Sequence, residues 1–293
     1  MYTRPSTFRK DDRMKRAWLL AALIPAAVLS GAQAPAPVGP AQAPAPAVVR
    51  AVEPAPAGAK VWIGHYAEVE EFLKSAPIAR IEDVPIGITK PKRAFFEPGG
   101  LARAAIVKTL PMGQRGGFWE AYKSEIAAYE LDRLLGLDMV PVTVERRVGK
   151  DLASVQLWVE GCKLLKDVDQ KACPRPIEWA KQVCRQRVFD NLVANIDRNA
   201  GNMLIDGEWN LILIDHSRAF ASDRMPFEKE MTRIDREMFA RLKALDEAGL
   251  MQRIRPWVLG DGSVKGILKR RDKIVAHFEK LALERGEAAV FPF

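Results

Sequence analysis

The sequence predicts an α+β protein of two lobes, a small β-rich N-terminal lobe with one long helix and a mainly helical C-terminal lobe. Short apolar runs bounded by turn residues, which are typical of strands, lie on both sides of a helical pattern at residues 118–135. Helical patterns return from residue 176 onward and dominate the rest of the chain. At 293 residues the chain is long enough for two lobes with a sizeable core.

The composition is that of a globular protein, with 48% hydrophobic and 28% charged residues. The net charge of +8 suits an anionic ligand, nucleotide phosphates included. The basic residues do not form a stripe with interleaved aromatics, and the run Lys269–Arg271 is typical of a solvated helix face. We therefore expect no nucleic-acid partner, and we expect a monomer.

The N-terminus has the pattern of a secretory signal. A basic segment, Met14–Arg16, precedes an apolar run, Ala17–Leu29, which leads into small residues that end at Ala34. We expect residues 1–34 to be a signal peptide, because the apolar run is short for a span of roughly 20 residues. An uncleaved membrane anchor is the alternative. Either form leaves the remaining chain exported, in the periplasm or secreted.

Three further segments follow the predicted signal peptide. Residues 35–58 are rich in Ala, Pro and Val and show no helical or alternating period, which predicts a semi-extended linker. We assign residues 59–158 to the N-terminal lobe and residues 159–293 to the C-terminal lobe.

The state of the cysteines is open: a disulfide between Cys162 and Cys173 is one alternative, and free thiols are the other.

The N-terminal lobe is predicted to begin with a short amphipathic helix, Tyr66–Ser75. Ala94–Phe96 and Leu101–Leu110 then form two strands around a Gly-containing turn. Lys108 is embedded in the second strand, after the apolar run Ala104–Val107. An unpaired buried charge is costly, so Lys108 requires an anionic partner.

The helix predicted at Phe118–Leu135 supplies acids for that partnership, namely Glu120, Glu125 and Glu130. We select Glu125, because it lies beside the apolar face of the helix. In kinases, a strand lysine contacts nucleotide phosphates and pairs with a glutamate on the next helix. A solvent-exposed glutamate on an amphipathic helix is the alternative.

A second hairpin joins the lobes. Pro141–Arg146 and Ala153–Val159 predict its strands, and Trp158–Cys162 would cross between the lobes. In a kinase-like layout the backbone around Glu160 would meet the adenine edge of a nucleotide. Residues Gly87–Arg93 are a candidate cover for the nucleotide.

The C-terminal lobe is predicted to contain one long helix and several later ones. Its helical patterns cover Pro176–Ile196, Pro226–Asp246, Met251–Trp257 and Val264–Glu284. A hairpin follows the first helix, with the strands Met203–Ile205 and Leu211–Ile214 around an Asp-Gly turn.

The segment between the first of these helices and the end of the hairpin has the spacing of a phosphoryl-transfer site. Asp197 and Asn202 are five positions apart, and Asp215 stands at the end of the second hairpin strand. In kinases an Asp and an Asn at this spacing serve as catalytic base and metal ligand, and a later Asp holds metal as well. Mg²⁺ prefers such oxygen ligands. An ordinary polar loop with surface acids is the alternative.

Two stretches carry a family resemblance: SEIAAYELDRLLGLDMVPVTV, which contains Glu125, and NIDRNAGNMLID with LILIDHSRAF. They resemble atypical members of the protein-kinase-like superfamily, namely the secretory-pathway kinases similar to the Golgi casein kinase and the type II phosphatidylinositol 4-kinases. HipA-type kinases are more distant. The resemblance implies a protein-kinase-like fold, ATP and Mg²⁺ or Mn²⁺ as cofactors, and Glu125 as the ion-pair glutamate. Asn199 departs from it, because many relatives have His there.

The sequence thus predicts an ATP-dependent kinase that phosphorylates a hydroxyl group of a protein, a saccharide or an inositol lipid, the first two being favoured. Asp197 would be the base, Asn202 and Asp215 the metal ligands, and Lys108 the phosphate contact, oriented by Glu125. Arg198 would steady the loop or the transferred group, and His216 would support the metal ligands from behind or have a structural role. A catalytically inactive nucleotide-binding or scaffold module of the same fold is the alternative.

Overall fold

The computed structural model describes residues 59–84 and 90–293. The predicted signal peptide and linker, residues 1–58, lie outside the described residues, as do residues 85–89, which include the first three residues of the candidate nucleotide cover. Within the two described ranges, none of the helices combines the length and the apolar character that a membrane span requires.

The N-terminal lobe is built on an antiparallel sheet of five strands in the order β1-β2-β3-β7-β6. The strands are Ile78–Asp83 (β1), Lys92–Phe96 (β2), Ala104–Lys108 (β3), Thr143–Val148 (β6) and Asp151–Leu157 (β7). Strand β3 is the centre of the sheet and pairs Lys108 with Ser154 of β7. It is shorter than the predicted strand Leu101–Leu110, so that Lys108 is its last residue.

Two helices accompany this sheet, α1 at Tyr66–Ser75 and α2 at Tyr122–Leu135. Helix α1 has the predicted bounds, but the prediction for α2 is wrong at its N-terminal end. Phe118–Glu120 (β5) pairs instead with Gly113–Arg115 (β4). The turn consists of Gly116 and Gly117, which both have positive φ, as a tight two-residue hairpin requires.

Helix α2 ends where its glycine predicts. Gly136 has a φ of 54°, and its N–H donates to the carbonyls of Arg133 and Asp132. The C-terminal lobe completes this end, because Arg241 Nη1 donates to the carbonyls of Leu135 and Gly136 at 2.7 and 2.6 Å. A cationic side chain thus satisfies carbonyls that the helix itself leaves unpaired.

The C-terminal lobe combines a three-stranded sheet with five helices in the described chain. The strands are Lys163–Leu164 (β8), Met203–Ile205 (β9) and Leu211–Leu213 (β10), in the order β10-β9-β8. The helices are Pro176–Leu192 (α3), Arg236–Ala244 (α4), Glu247–Arg253 (α5), Asp261–Arg285 (α6) and Glu287–Val290 (α7).

Several predicted boundaries in this lobe are wrong, and the short helix predicted at Met251–Trp257 lies earlier in the chain, as α5. Helix α3 ends at Leu192 rather than Ile196, and Ala194 turns the chain with a φ of 52°. The helix predicted at Pro226–Asp246 begins only at Arg236, because Asp235 caps it by accepting a hydrogen bond from the Met238 N–H. The hairpin turn is longer than Asp-Gly.

The side chain of Asp206 explains the longer turn between β9 and β10. Its Oδ1 accepts hydrogen bonds from the backbone N–H groups of Glu208 and Asn210 at 2.9 and 2.8 Å. Its Oδ2 accepts one from the Ala59 N–H at 3.3 Å, so the chain that precedes α1 contacts the C-terminal lobe. Trp62 of the same segment is completely buried.

Candidate active site

A cleft lies between the two lobes, with a cavity of about 360 Å³. Its polar lining includes Lys108 from β3, Asn202 from the loop before β9, and Asp215 from the end of the hairpin. The apolar lining comes from both lobes and includes Ile106, Leu157, Val159, Leu204 and Ile214. Three of the residues that the sequence selects therefore face one cavity.

Lys108 is the centre of a buried ionic group. Its Nζ donates to Glu125 Oε1 at 2.5 Å and to Asp215 Oδ1 at 2.8 Å. Glu125 is 1% exposed, and its Oε2 also accepts a hydrogen bond from the His216 N–H at 2.9 Å. The group thus connects strand β3, helix α2 and the segment after β10.

The charges in this group shift one another's proton affinity. Burial acts to lower the pKa of Lys108, but the carboxylates of Asp215 and Glu125 outweigh it and leave the pKa above its usual value. Burial alone would raise the pKa of Asp215, but the positive charge of Lys108 has the larger effect, and the pKa falls to about 2. Burial raises the pKa of Glu125, against the opposing charge of Lys108. Lys108 and Asp215 are therefore charged at neutral pH.

The loop that carries Asp197 is held by amide side chains. Asn195 Nδ2 donates to Asp190 Oδ1 at 3.1 Å, and Asn195 Oδ1 accepts from the Asp197 N–H at 3.2 Å. Asn202 Nδ2 donates to the Asp197 carbonyl at 3.0 Å. The Ile214 N–H donates to the Asn202 carbonyl at 3.2 Å. This hydrogen bond brings the segment of Asn202 next to the segment of Asp215.

Arg198 joins this loop to the end of the hairpin. Its guanidinium donates to Asp190 Oδ2 at 2.9 Å, to the Ile214 carbonyl at 2.8 Å and to the Asn202 carbonyl. The side chain is only 3% exposed. These contacts favour the first of the two roles considered for Arg198, that of steadying the loop.

His216 lies behind the ionic group and is completely buried. Burial, assisted by the charges of Arg198 and Lys108, holds the pKa of His216 well below its usual value. The neutral ring accepts from Arg198 Nη2 through Nε2, at 2.8 Å. This agrees with a structural role for His216 rather than one in metal binding.

The structure places Glu160 beside the cavity rather than in its lining. Its carboxylate lies 3.3 Å from Arg93 Nη2, and the Arg93 guanidinium stacks over Trp158 at 3.8 Å from the ring centroid. The neighbouring residues Val159 and Cys162 line the cavity from the same crossing segment. Cys162, like the other two cysteines, carries a free thiol, so the alternative of a disulfide is wrong.

The sequence prediction assigned no role at the site to Arg218 or to Glu120. Arg218 Nε donates to Glu120 Oε1 at 2.7 Å, and Arg218 Nη1 lies 3.2 Å from Asp197 Oδ2. Burial raises the pKa of Asp197 above its usual value, although Arg218 opposes that shift. The glycine pair before Phe118 was the signal that could have removed Glu120 from the helix.

A closed metal site is absent from the described part of the chain, since no three His, Cys, Asp or Glu side chains converge there. The oxygen donors of Asn202 and Asp215 fit an open site, of the kind in which Mg²⁺ keeps water and phosphate ligands. Their adjacency at the cleft is the observation that supports this fit.

Comparison with known proteins identifies the fold. No protein-family model matches the sequence, and no curated protein shows a significant match. The structure is similar to the Golgi casein kinase, solved with Mn/ADP bound, with a TM-score of 0.58 and 15% identity, over 77% of this chain and 78% of that chain. Hydra Fam20, solved with sugar, has a TM-score of 0.59 and 16% identity, over 77% of this chain and 91% of that chain.

These similarities confirm the predicted α+β architecture. The chain has a kinase-like two-lobed fold, with a sheet-based N-terminal lobe and a mainly helical C-terminal lobe. The resemblance to secretory-pathway kinases that the sequence indicates is thus confirmed at the level of the fold.

Proposed function

We propose that this chain is an ATP-dependent kinase that transfers the γ-phosphoryl group to a hydroxyl acceptor. The observation that carries the proposal is the buried ionic group at the cleft, in which Lys108 Nζ lies 2.5 Å from Glu125 and 2.8 Å from Asp215. Asp197 and Asn202 lie on the loop joined to Asp215 by backbone hydrogen bonding. The cavity of about 360 Å³ is within the range of small-molecule sites, roughly 300–1,000 Å³.

Each residue has one task in the proposed reaction. Lys108 contacts the α- and β-phosphates and is oriented by Glu125, while the backbone near Glu160 meets the adenine. Asn202 and Asp215 would hold Mg²⁺ or Mn²⁺, which supplies positive charge next to the phosphates.

Asp197 acts as the general base of the transfer. It accepts the proton of the acceptor hydroxyl as the hydroxyl oxygen bonds to the γ-phosphorus. The bond from that phosphorus to the β–γ bridging oxygen breaks, and ADP leaves. Catalysis in this arrangement consists of positioning and charge neutralisation.

The acceptor we favour is a protein Ser/Thr or saccharide hydroxyl, with an inositol lipid as the third class. Support comes from the resemblance of the segment around Glu125 to secretory-pathway kinases.

Export of the protein and a monomeric state belong to the same proposal. N-terminal sequencing of protein recovered from the culture medium or periplasm, and light scattering, test these two points.

Calorimetry with Mn–ATP and Mg–ATP on the full chain tests the nucleotide site. Asp215→Asn should weaken metal-dependent ATP binding at least about 100-fold, because it removes a charged metal ligand. Asp151→Asn is the control, since Asp151 is exposed at the far end of the β6–β7 hairpin and its change should leave binding within twofold.

Turnover then separates an active kinase from an inactive module. Asp197→Asn should retain ATP binding and slow ADP production by about 10²–10⁴-fold, the usual contribution of a general base. Metal-dependent binding without turnover in the wild-type protein would establish the inactive nucleotide-binding module. Failure of the wild-type protein to bind ATP with either metal would refute the proposed function.

A further inference from the structure

Arg218 is held on two sides at the entrance of the catalytic loop. Its Nε donates to Glu120 Oε1 at 2.7 Å, and its guanidinium carbon lies 4.4 Å from the centre of the Phe118 ring. From this position Nη1 reaches Asp197 Oδ2 at 3.2 Å. The Arg218 side chain is 14% exposed and that of Glu120 is 4% exposed, so the first contact is largely shielded from solvent.

The chemistry of the guanidinium suits this bridge. It is planar, and its donors point in fixed directions, so one nitrogen can bind one carboxylate while another nitrogen addresses a second carboxylate. A lysine ammonium at the same position has no such fork. The geometry of the bridge therefore depends on arginine and not on positive charge alone.

Docking of helix α2 does not require the Arg218 side chain. The Ala121 N–H donates to the Ser217 carbonyl at 3.0 Å, and Ser124 Oγ donates to the Ala219 carbonyl at 3.2 Å. These contacts already attach the start of α2 to the segment after β10. What the Arg218 side chain adds is its contact with Asp197.

We propose that Arg218 is a positioning residue for Asp197 and that Glu120 holds Arg218 in place. By binding Oδ2, Arg218 directs the other carboxylate oxygen, Oδ1, to the acceptor hydroxyl. This inference rests on the proposed kinase function. The N-terminal lobe then has two links to the reacting groups. Glu125 orients Lys108, whereas Glu120 orients Asp197 through Arg218.

The test measures ADP release from Mn–ATP with water as the acceptor, together with the dissociation constant of Mn–ATP, on the full chain. Arg218→Gln should lower kcat about 10–100-fold, because a small misplacement of a reacting group has effects of this size. The dissociation constant should stay within twofold. Arg218→Lys should recover less than half of the lost rate, and Glu120→Gln should lower kcat in the same direction.

The matched control is Arg253→Gln. Arg253 Nε donates to Glu130 Oε2 at 2.7 Å, so this change removes a guanidinium–carboxylate contact to helix α2, which follows β5 in the chain, without involving Asp197. Its kcat should stay within twofold of the wild-type value. Melting temperatures of all variants identify any that fail to fold, and Glu120→Gln, which keeps Arg218, carries the test if Arg218→Gln is unfolded.

Combination with Asp197→Asn distinguishes positioning from a separate action on the phosphates. In the Asp197→Asn background, Arg218→Gln should change kcat by less than twofold, because the oriented carboxylate is already gone. The same loss of rate in both backgrounds, or a parallel rise in the dissociation constant, would overturn the inference. Binding of Mn–ATP to the wild-type protein without turnover would instead remove the proposed function on which it rests.

Discussion

Replacing Lys108 by methionine should destabilise the protein strongly at neutral pH. The change leaves the carboxylates of Glu125 and Asp215, between which Lys108 now lies, without their shared cation. The fall of the Asp215 pKa from 3.8 to about 2, to which Lys108 contributes most, corresponds to about 2 kcal/mol. With the buried Glu125 included, we expect a loss of about 3–5 kcal/mol in the free energy of unfolding, the usual cost of breaking a buried ion pair.

The pH dependence follows from the directions of the shifts. The pKa of Asp215 is lowered in the folded protein, so its contribution is present above about pH 4 and is lost as the pH falls toward 2. The raised pKa of Lys108 keeps its contribution intact until the pH rises above roughly 10. In Lys108→Met the two carboxylates repel each other and take up a proton more readily. The cost should therefore be larger at pH 7.5 than at pH 5.

Guanidinium chloride unfolding of the full chain, followed by tryptophan fluorescence, measures the cost. Lys243→Met is the control, because Lys243 forms a 3.1 Å ion pair with Glu279 in which both side chains are more than half exposed. Exposed pairs contribute at most about 1 kcal/mol. Adding Glu125→Gln to Lys108→Met should restore at least about 1 kcal/mol. A loss from Lys108→Met as small as that of the control, or one that does not vary with pH, would refute the reasoning.

Three further predictions concern buried polar groups. Burial raises the pKa of Asp132 to about 7, so its contribution to stability is lost as the pH rises from about 4 to 7. Asp132→Asn should flatten the fall in unfolding free energy across that same range, from about pH 4 to 7. Arg198→Gln leaves the Asp190 charge buried and should lower the unfolding free energy by about 3–5 kcal/mol, whereas Arg236→Gln, at an exposed pair, should lower it by less than about 1 kcal/mol. Asp206→Ala removes the acceptor of several backbone N–H groups and should lower the free energy of unfolding by about 1–3 kcal/mol. Calorimetric scans should show this loss as a lower melting temperature.

The sequence predicted the residues at the cleft best where the pattern is local. Asp197, Asn202 and Asp215 lie within one short segment, so their spacing alone indicates a shared site. Lys108 and Glu125 could be paired because a lysine in an apolar strand requires an acid and the next helix offers few. Their roles in the reaction stay predictions.

Contacts between distant segments could not be predicted in this way. Glu120 continues the acidic pattern of the helix that follows, but the pairing of β4 with β5 removes it from that helix. The contact of Arg218 with Asp197 depends on the path of the chain around β10, which no periodicity encodes. Helix α4 starts late because Asp235 offers a cap ten residues inside the predicted helix.

The contacts of Arg198 have a consequence for motion within the molecule. One guanidinium binds Asp190 at the end of α3, the loop at Asn202 and the hairpin end at Ile214, so a single buried side chain ties these three segments together. Side chains that are packed and paired in this way do not deform gradually. We therefore expect any relative motion of the two lobes to leave these three segments fixed against one another and to bend the chain at the crossing segment, Trp158–Cys162.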